Sequence, residues 1–188
     1  MYIDPTRYSG RPADGTGRIP QELAIYDRLD QLSIPFDRVD HEHADTMEIC
    51  QEVEKVLGGQ ICKNLFLCNR QQTQFYLLMM PGDKPFKTKH LSAQLGCARL
   101  SFADGDHMAQ YLQTTPGSVS ALELLFDTDR RVQLVIDRAL MEDDFISGHP
   151  GISTSTLRLA REDLLRYAAS TGHEPVYVDL PDPRTEEA

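Results

Sequence analysis

The chain has 188 residues, 40% of them apolar, which suits one domain with a buried core and at most short tails. Acidic residues outnumber basic ones, 29 to 19, and the formal net charge is -10, which excludes a general nucleic-acid coat while leaving room for a local basic patch. No apolar run approaches the ~20 residues that cross a bilayer, and "MYIDPTRYSGRPADGTGR" has no signal-type apolar segment. The expectation is a soluble cytoplasmic protein with no membrane partner.

Residues 1–18, rich in Gly, Pro, Asp and Arg, read as an irregular arm. Residues 19–180 read as a single domain, and 181–188 as an acidic tail. Pro20 opens a helix with Leu23, Tyr26, Leu29 and Leu32 at helical spacing. "PFDRVDHEH" alternates as a short strand. A second helix is capped by Asp45 or Thr46, buries Met47, Ile49, Cys50, Val53, Val56 and Leu57, and ends at Gly58-Gly59. Ile61 to Asn69 and Gln74 to Met80 read as a hairpin. A lysine-bearing loop then leads into a short helix, and another helix is capped near Asp104. Next come the loop "TTPGSVS", a mixed apolar run, a strand carrying Val132, Leu134 and Ile136 on one face, and a helical turn. Two further strands flank "GHPG". A helix with Leu164, Leu165, Tyr167 and Ala168 inward and a last strand, "HEPVYVDL", complete the pattern. Strands and helices mix without a regular repeat, and hairpin links favour antiparallel pairing. The fold class is therefore α/β of the α+β kind: a mixed, largely antiparallel central sheet flanked by helices.

Cys50, Cys62, Cys68 and Cys97 sit in apolar or helical patterns without a CxxC pair, so they read as small buried hydrophobes rather than zinc ligands. His41 and His43 alternate on one strand but lack a third ligand at helpful spacing, and they read as solvated edge histidines. No metal or cofactor is expected.

Lys63 shares a strand face with Ile61, Leu65 and Leu67. It is either a rim lysine that snorkels to water or a partly desolvated ammonium facing a pocket, where it would hold an anion or a developing oxyanion. The loop Thr115-Pro116-Gly117-Ser118-Val119-Ser120 is dense in small and hydroxyl residues, and such a loop lets backbone N–H groups approach a ligand. Ala121 after Ser120 departs from the G-x-S-x-G nucleophile elbow. His149, between Gly148 and Pro150, sits in a tight turn. Lys84, Lys87 and Lys89 gather in one loop and are candidates for phosphate contact, with Arg130 and Arg131 as a second patch.

"KNLFL", "TPGSVS" and "GHPGISTST", in that order, resemble the YbaK-like aminoacyl-tRNA deacylases. That superfamily includes the editing domain inserted in bacterial prolyl-tRNA synthetases and free-standing relatives of the ProXp-ala or PrdX type. The resemblance covers about Gln21 to about Leu180. It implies an editing-domain fold and hydrolysis of the ester in mischarged tRNA, first of all alanyl-tRNA for proline. Lys63 matches the family's active-site lysine, Gly117 to Ala121 its glycine loop, and Gly148-His149-Pro150 its GHP turn. Catalytic roles then fall to Lys63, Gly117 and His149. Thr115, Pro116, Ser118, Val119, Ser120, Gly148, Pro150 and Ser153 become the substrate-binding set. The implied partners are the acceptor end of aminoacyl-tRNA and prolyl-tRNA synthetase. Two positions depart from the family pattern: Ala121 stands where the loop usually has proline, and Ser153 where relatives often carry asparagine. Three alternatives stay open: a non-catalytic module binding tRNA or a synthetase, editing of cysteine or serine instead of alanine, and a small-molecule esterase using Ser120.

Overall fold

The structure is a computed structural model and describes residues 2–44, 46–58 and 60–182. Asp45, Gly59 and most of the acidic tail lie outside the described residues. Helix α1, Pro20–Gln31, starts on its proline and buries Ile25, Tyr26 and Leu29 completely. Strand β2, Phe36–Asp40, leads to α2, Met47–Leu57, where the Thr46 hydroxyl accepts from the Ile49 amide and Gly58 closes the helix. The hairpin is β3, Gln60–Cys68, and β4, Phe75–Pro81. Helix α3, Thr88–Leu95, a two-residue β5, Ser101–Phe102, and α4, Gly105–Leu112, follow. The mixed apolar run forms a 3-10 helix, Ala121–Phe126. Then come β6, Val132–Asp137, a second 3-10 turn, β7, Phe145–Gly148, β8, Ser155–Ala160, α5, Arg161–Ser170, and β9, Val176–Val178.

Residues 2–10 do not form the irregular arm that their composition suggests. Tyr8–Ser9 makes β1 against β2, and Ile3 bridges to His41. Further along, Arg18 bonds both Asp40 oxygens at 2.8 and 2.6 Å. Burial opposes charge on Asp40, but Arg18 and Arg38 outweigh it and hold its carboxyl at about 2. The backbone amides of Asp4 and Gly10 find their acceptors on β2, which is how an extended segment without a hydrophobic pattern stays ordered.

Among the described residues the strands form one sheet in the order β1-β2-β8-β7-β3-β4-β6-β9, with β5 beside β3. Five pairings are antiparallel, and β3·β7, β4·β6 and β6·β9 are parallel. Alternation assigns the faces. Cys62, Phe66, Cys68, Phe75, Leu77, Met79, Val132, Leu134 and Ile136 join the core under α1, α4 and α5. Leu65, Leu67, Leu78, Met80 and Val135 join a second core with Leu91 of α3. Leu65 and Leu67 thus pack beneath a helix. Lys63 stands on their side of the sheet but nearer the start of the strand.

The strand pair β3·β7 decides where a site can form. It holds for only Gln60↔Ile146 and Ile61↔Ser147. Beyond that point β3 runs on, while β7 ends at Gly148 and the chain turns through Pro150, which has no amide hydrogen to continue a ladder. The sheet splits there.

Candidate active site

A cavity of about 200 Å³ opens at the split. Its lining includes Cys62, Lys63 and Asn64 of β3, Gly117 and Val119 of the loop before the 3-10 helix, Gly148 and His149 of the turn, and Thr156 of β8. Ala44, Thr46 and Cys50 bring the amino end of α2 to the same rim, and that end carries the positive pole of the helix. The three catalytic candidates, Lys63, Gly117 and His149, therefore meet in one cavity from three distant segments.

Lys63 is half-buried, and its ammonium donates to the Lys84 carbonyl at 3.0 Å. Lys84 itself is turned inward: it is 6% exposed and pairs with Asp137 at 2.7 Å. This corrects the grouping of Lys84 with the phosphate-contacting lysines, because a buried ion pair cannot present its charge to a nucleic acid. Lys84 instead fixes the carbonyl that tethers Lys63. Lys87 and Lys89 are exposed at the amino end of α3, whose first turn has no acidic residue. Arg130 and Arg131 lie at the opposite end of the β4·β6 pair from Lys63. A cavity of about 480 Å³ adjoins these two arginines and contains none of the catalytic candidates.

The glycine loop is a tight turn. The Ser118 amide donates to the Thr115 carbonyl at 3.1 Å, with Pro116 second and Gly117 third at φ +91°, the arrangement that demands glycine there. The Ser118 N–H is thereby spent inside the turn and is not a donor to substrate. The amides of Gly117 and Val119 have no hydrogen bond within the described residues, and both residues line the cavity. Ser120 is 3% exposed and its hydroxyl donates to the His149 carbonyl at 2.8 Å while accepting from the Leu122 amide at 3.1 Å. Glu123 completes a capping box by accepting from the Ser120 amide. Ser120 is thus a buried cap rather than a nucleophile. Ala121 occupies the first position of the 3-10 helix, a position that also accepts proline. The loop lies close to the histidine turn: a Cβ on Gly148 would come within 3.1 Å of the Ser120 Cβ.

His149 is held by its Nδ1, which lies 2.8 Å from the Ser155 carbonyl and 3.2 Å from the Thr156 hydroxyl. A carbonyl only accepts, so Nδ1 carries the proton and Nε2 is the acceptor nitrogen of the neutral ring. Thr156 in turn stands 2.8 Å from His41 Nε2, and His41 Nδ1 lies 2.7 Å from the Glu42 carbonyl. By the same reasoning His41 donates from Nδ1 and accepts the Thr156 hydroxyl proton at Nε2. His41 is not a solvated edge histidine. It is 6% exposed, and burial lowers its pKa despite the Glu42 carbonyl. His43 bonds Ser153 at 3.0 Å.

Burial pushes the Cys62 thiol up to about 12, so it is protonated at neutral pH and no nucleophile. Asn64, half-buried beside it, is a lining residue that the sequence reading does not single out. Its signal is the same as that of Lys63, a polar residue on an otherwise apolar strand face. Thr156 and His41 carry no such signal, since each is ordinary for its strand. Cys62, Asn64 and Gly148 are shared with a void of only about 10 Å³ walled by Met79, Ala121 and Leu122, roughly the room of a single water.

The family model described as the aminoacyl-tRNA editing domain matches residues 41–167. The prolyl-tRNA editing protein ProX of Acetoanaerobium sticklandii is 31% identical over 157 residues, covering 84% of this chain and 96% of its own. Prolyl-tRNA synthetase associated domain-containing protein 1 of Danio rerio is 31% identical over 172 residues, covering 89% and 93%. A crystal structure of a protein provisionally described as a trans-editing enzyme for prolyl tRNA synthetase superposes with a TM-score of 0.67 at 16% identity, covering 87% of this chain and 98% of the other, which establishes the shared fold.

Proposed function

The chain belongs to the aminoacyl-tRNA editing domain family, and from that premise we propose that it is a trans-editing hydrolase that deacylates mischarged tRNA, alanyl-tRNA for proline above all. The observation that carries this reading is the convergence of Lys63, the Gly117 loop and His149 on one small cavity where the sheet splits.

The reaction needs no covalent intermediate, because an aminoacyl ester is already activated. The oxygen of a water attacks the ester carbonyl carbon. The bond from that carbon to the ribose oxygen breaks, the ribose oxygen takes up a proton, and the free amino acid leaves. Negative charge gathers on the carbonyl oxygen in the transition state. The Gly117 and Val119 amides, which line the cavity and have no hydrogen bond within the described residues, are the donors for it. Lys63, tethered at the Lys84 carbonyl, holds a terminal phosphate or the developing charge. His149, with its proton fixed on Nδ1, offers Nε2 to orient the water or a ribose hydroxyl. The candidate nucleophiles on the chain are otherwise committed, Ser120 as a cap and Cys62 as a buried thiol. The substrate's own ribose hydroxyl, beside the ester, then assists the proton transfer.

The cavity, of about 200 Å³, is small, which supports a small acyl side chain. Exclusion of larger side chains by clash is the easier half of specificity. Lys87 and Lys89 would meet tRNA phosphates; their exposure at a helix amino end, where basic residues work against the helix dipole, supports this. Prolyl-tRNA synthetase would be the source of the mischarged tRNA, and the cytoplasm the place of work.

The test is a deacylation time course on alanyl-tRNA for proline, with cysteinyl-, seryl- and prolyl-charged forms alongside and Lys63→Ala as control. Fast release of alanine, sparing of proline and a dead variant support the reading. Tight binding without release would make the chain a binding module instead.

A further inference from the structure

Buried polar groups tie the glycine loop to the histidine turn at both of its ends. Thr114 precedes the loop, and its hydroxyl donates to the Gly151 carbonyl at 3.2 Å. Ser120 closes it, and its hydroxyl donates to the His149 carbonyl at 2.8 Å. Glu123 stands in the first turn of the 3-10 helix beyond. Its carboxyl accepts from the Ser120 amide, and the Gly151 backbone lies against the same group: a Cβ on Gly151 would fall 3.9 Å from Oε1. Gly151 itself sits at φ +78°, so the turn makes this close approach with a residue that bears no side chain.

Thr114 is 4% exposed and Glu123 is fully buried. A capping box works as well at a helix end in water, where the carboxylate is solvated. Here burial works against the charged carboxyl, and hydrogen bonds rather than a lysine or arginine oppose it. The layout of the ties gives a reason to keep such a group. Between Thr114 and Ser120 lie Gly117 and Val119, which line the cavity and whose amides have no hydrogen bond within the described residues. The acceptors on the other segment, at His149 and Gly151, bracket the turn that carries the imidazole. The ties therefore set the gap between two walls of the cavity, and neither Thr114 nor Glu123 lines it.

We propose that Thr114 and Glu123 are positioning residues of the deacylation, which hold the Gly117 and Val119 amides at a fixed distance from His149. The proposal rests on the cavity at the split being the site of ester hydrolysis. Donors aimed at a developing charge are worth most when nothing has to move as the charge forms. A loop freed from the turn leaves the groups that bind tRNA elsewhere in place, but its amides and the imidazole lose their alignment in the transition state, and small misplacements of that kind lower the rate. Loss of a tie therefore appears in kcat rather than in KM. Loss of stability alone lowers the folded fraction and leaves the kcat of folded molecules unchanged.

The experiment pairs each disruptive variant of the full chain with a conservative one. Thr114→Val and Glu123→Ala each remove a tie, while Thr114→Ser keeps the hydroxyl and Glu123→Gln keeps the acceptor. With alanyl-tRNA for proline as substrate, kcat should fall about tenfold in the first two with KM within about twofold, and should stay within about threefold of wild type in the conservative pair. In the 15N-labelled, ligand-free protein the Gly117 and Val119 amide resonances should move in Thr114→Val and Glu123→Ala and return in the conservative variants. Should Glu123→Ala not fold, the two Thr114 variants decide by the same criteria. Wild-type kcat in folded Thr114→Val, a raised KM at unchanged kcat, or a loss that the conservative variants do not rescue overturns the positioning role. The resonances separate this from the reaction itself. A wild type that releases no alanine, with the resonances moving as described, counts against the hydrolytic reading; an active wild type with unmoved resonances counts against the ties.

Discussion

His41 Nε2 and the Thr156 hydroxyl lie 2.8 Å apart, and through that hydroxyl a buried histidine is linked to a second one, His149, at the cavity wall, whose Nδ1 proton is shared between Thr156 and the Ser155 carbonyl. The chain of donors runs one way, from His149 Nδ1 to Thr156 to His41 to the Glu42 carbonyl. Its direction holds only while His41 is neutral.

Thr156→Val keeps the shape of the side chain and removes the hydroxyl. It should lower kcat for deacylation about tenfold, the value of roughly one hydrogen bond in the transition state, with KM little changed. Wild-type activity should also fall on the acid side as His41 is protonated and its Nε2 stops accepting, and the share of that fall that runs through His41 should be missing from the variant. Rate profiles from pH 5 to 8 decide it. Unaltered kcat in a folded variant would remove Thr156 and His41 from the reaction.

The same histidine ties stability to pH. Burial lowers its folded pKa below the ordinary 6.5, so as pH falls through 6.5 the unfolded chain takes the proton first and the folded state loses stability. His41→Gln should flatten this acid loss in urea unfolding between about pH 5 and 7. Equal slopes for the two proteins would contradict it.

Glu123 acts in the opposite sense. Burial holds its carboxyl well above the ordinary 4.5, in spite of the hydrogen bonds from Ser120. Above 4.5 the unfolded chain gives up a proton that the folded chain keeps, so stability falls as pH rises from there through the folded value. Glu123→Gln keeps an acceptor for the Ser120 amide and carries no charge. The stability difference, variant minus wild type, should therefore grow from pH 4.5 towards pH 8 in denaturant titrations. A constant difference would show that Glu123 does not titrate in this way.

Lys84 and Asp137 are buried together, with side chains 7% and 1% exposed. Asp137→Ala leaves the ammonium without its partner and should cost about 3–5 kcal/mol of stability, read by urea unfolding. It should also slow deacylation, because the Lys84 carbonyl that tethers Lys63 loses its anchor. A loss under about 1 kcal/mol would mean that the pair contributes no more than a surface ion pair does.

Lys87→Ala/Lys89→Ala should raise KM for charged tRNA and reduce the dependence of log KM on log salt by about one for each phosphate that is no longer neutralised. Arg130→Ala/Arg131→Ala, one strand length away from the cavity, should change both less. If the arginine variant has the larger effect, the tRNA lies across the other end of the sheet.

Much of this protein was legible in its residues because the relevant physics is local. Alternation along β3, β4 and β6 sorted the two cores, and Thr46, Asp104 and the Gly58 turn marked helix ends. Lys63 stood out as a charge on an apolar strand, and the glycine and GHP segments stood out by composition. Tertiary structure decided what local patterns do not encode. Lys84 and Lys87 look alike in one loop, and only the approach of Asp137, 53 positions along, takes Lys84 inside. The pairing of residues 2–10 with β2 needs a sheet edge that their own composition does not announce. Asn64, Thr156 and His41 became site residues because β3 and β7 part after two residue pairs, and the link from His41 to Thr156 spans 115 positions. Spacing and capping act over one or two turns of chain. A cavity made by three segments exists only once the sheet has brought them together.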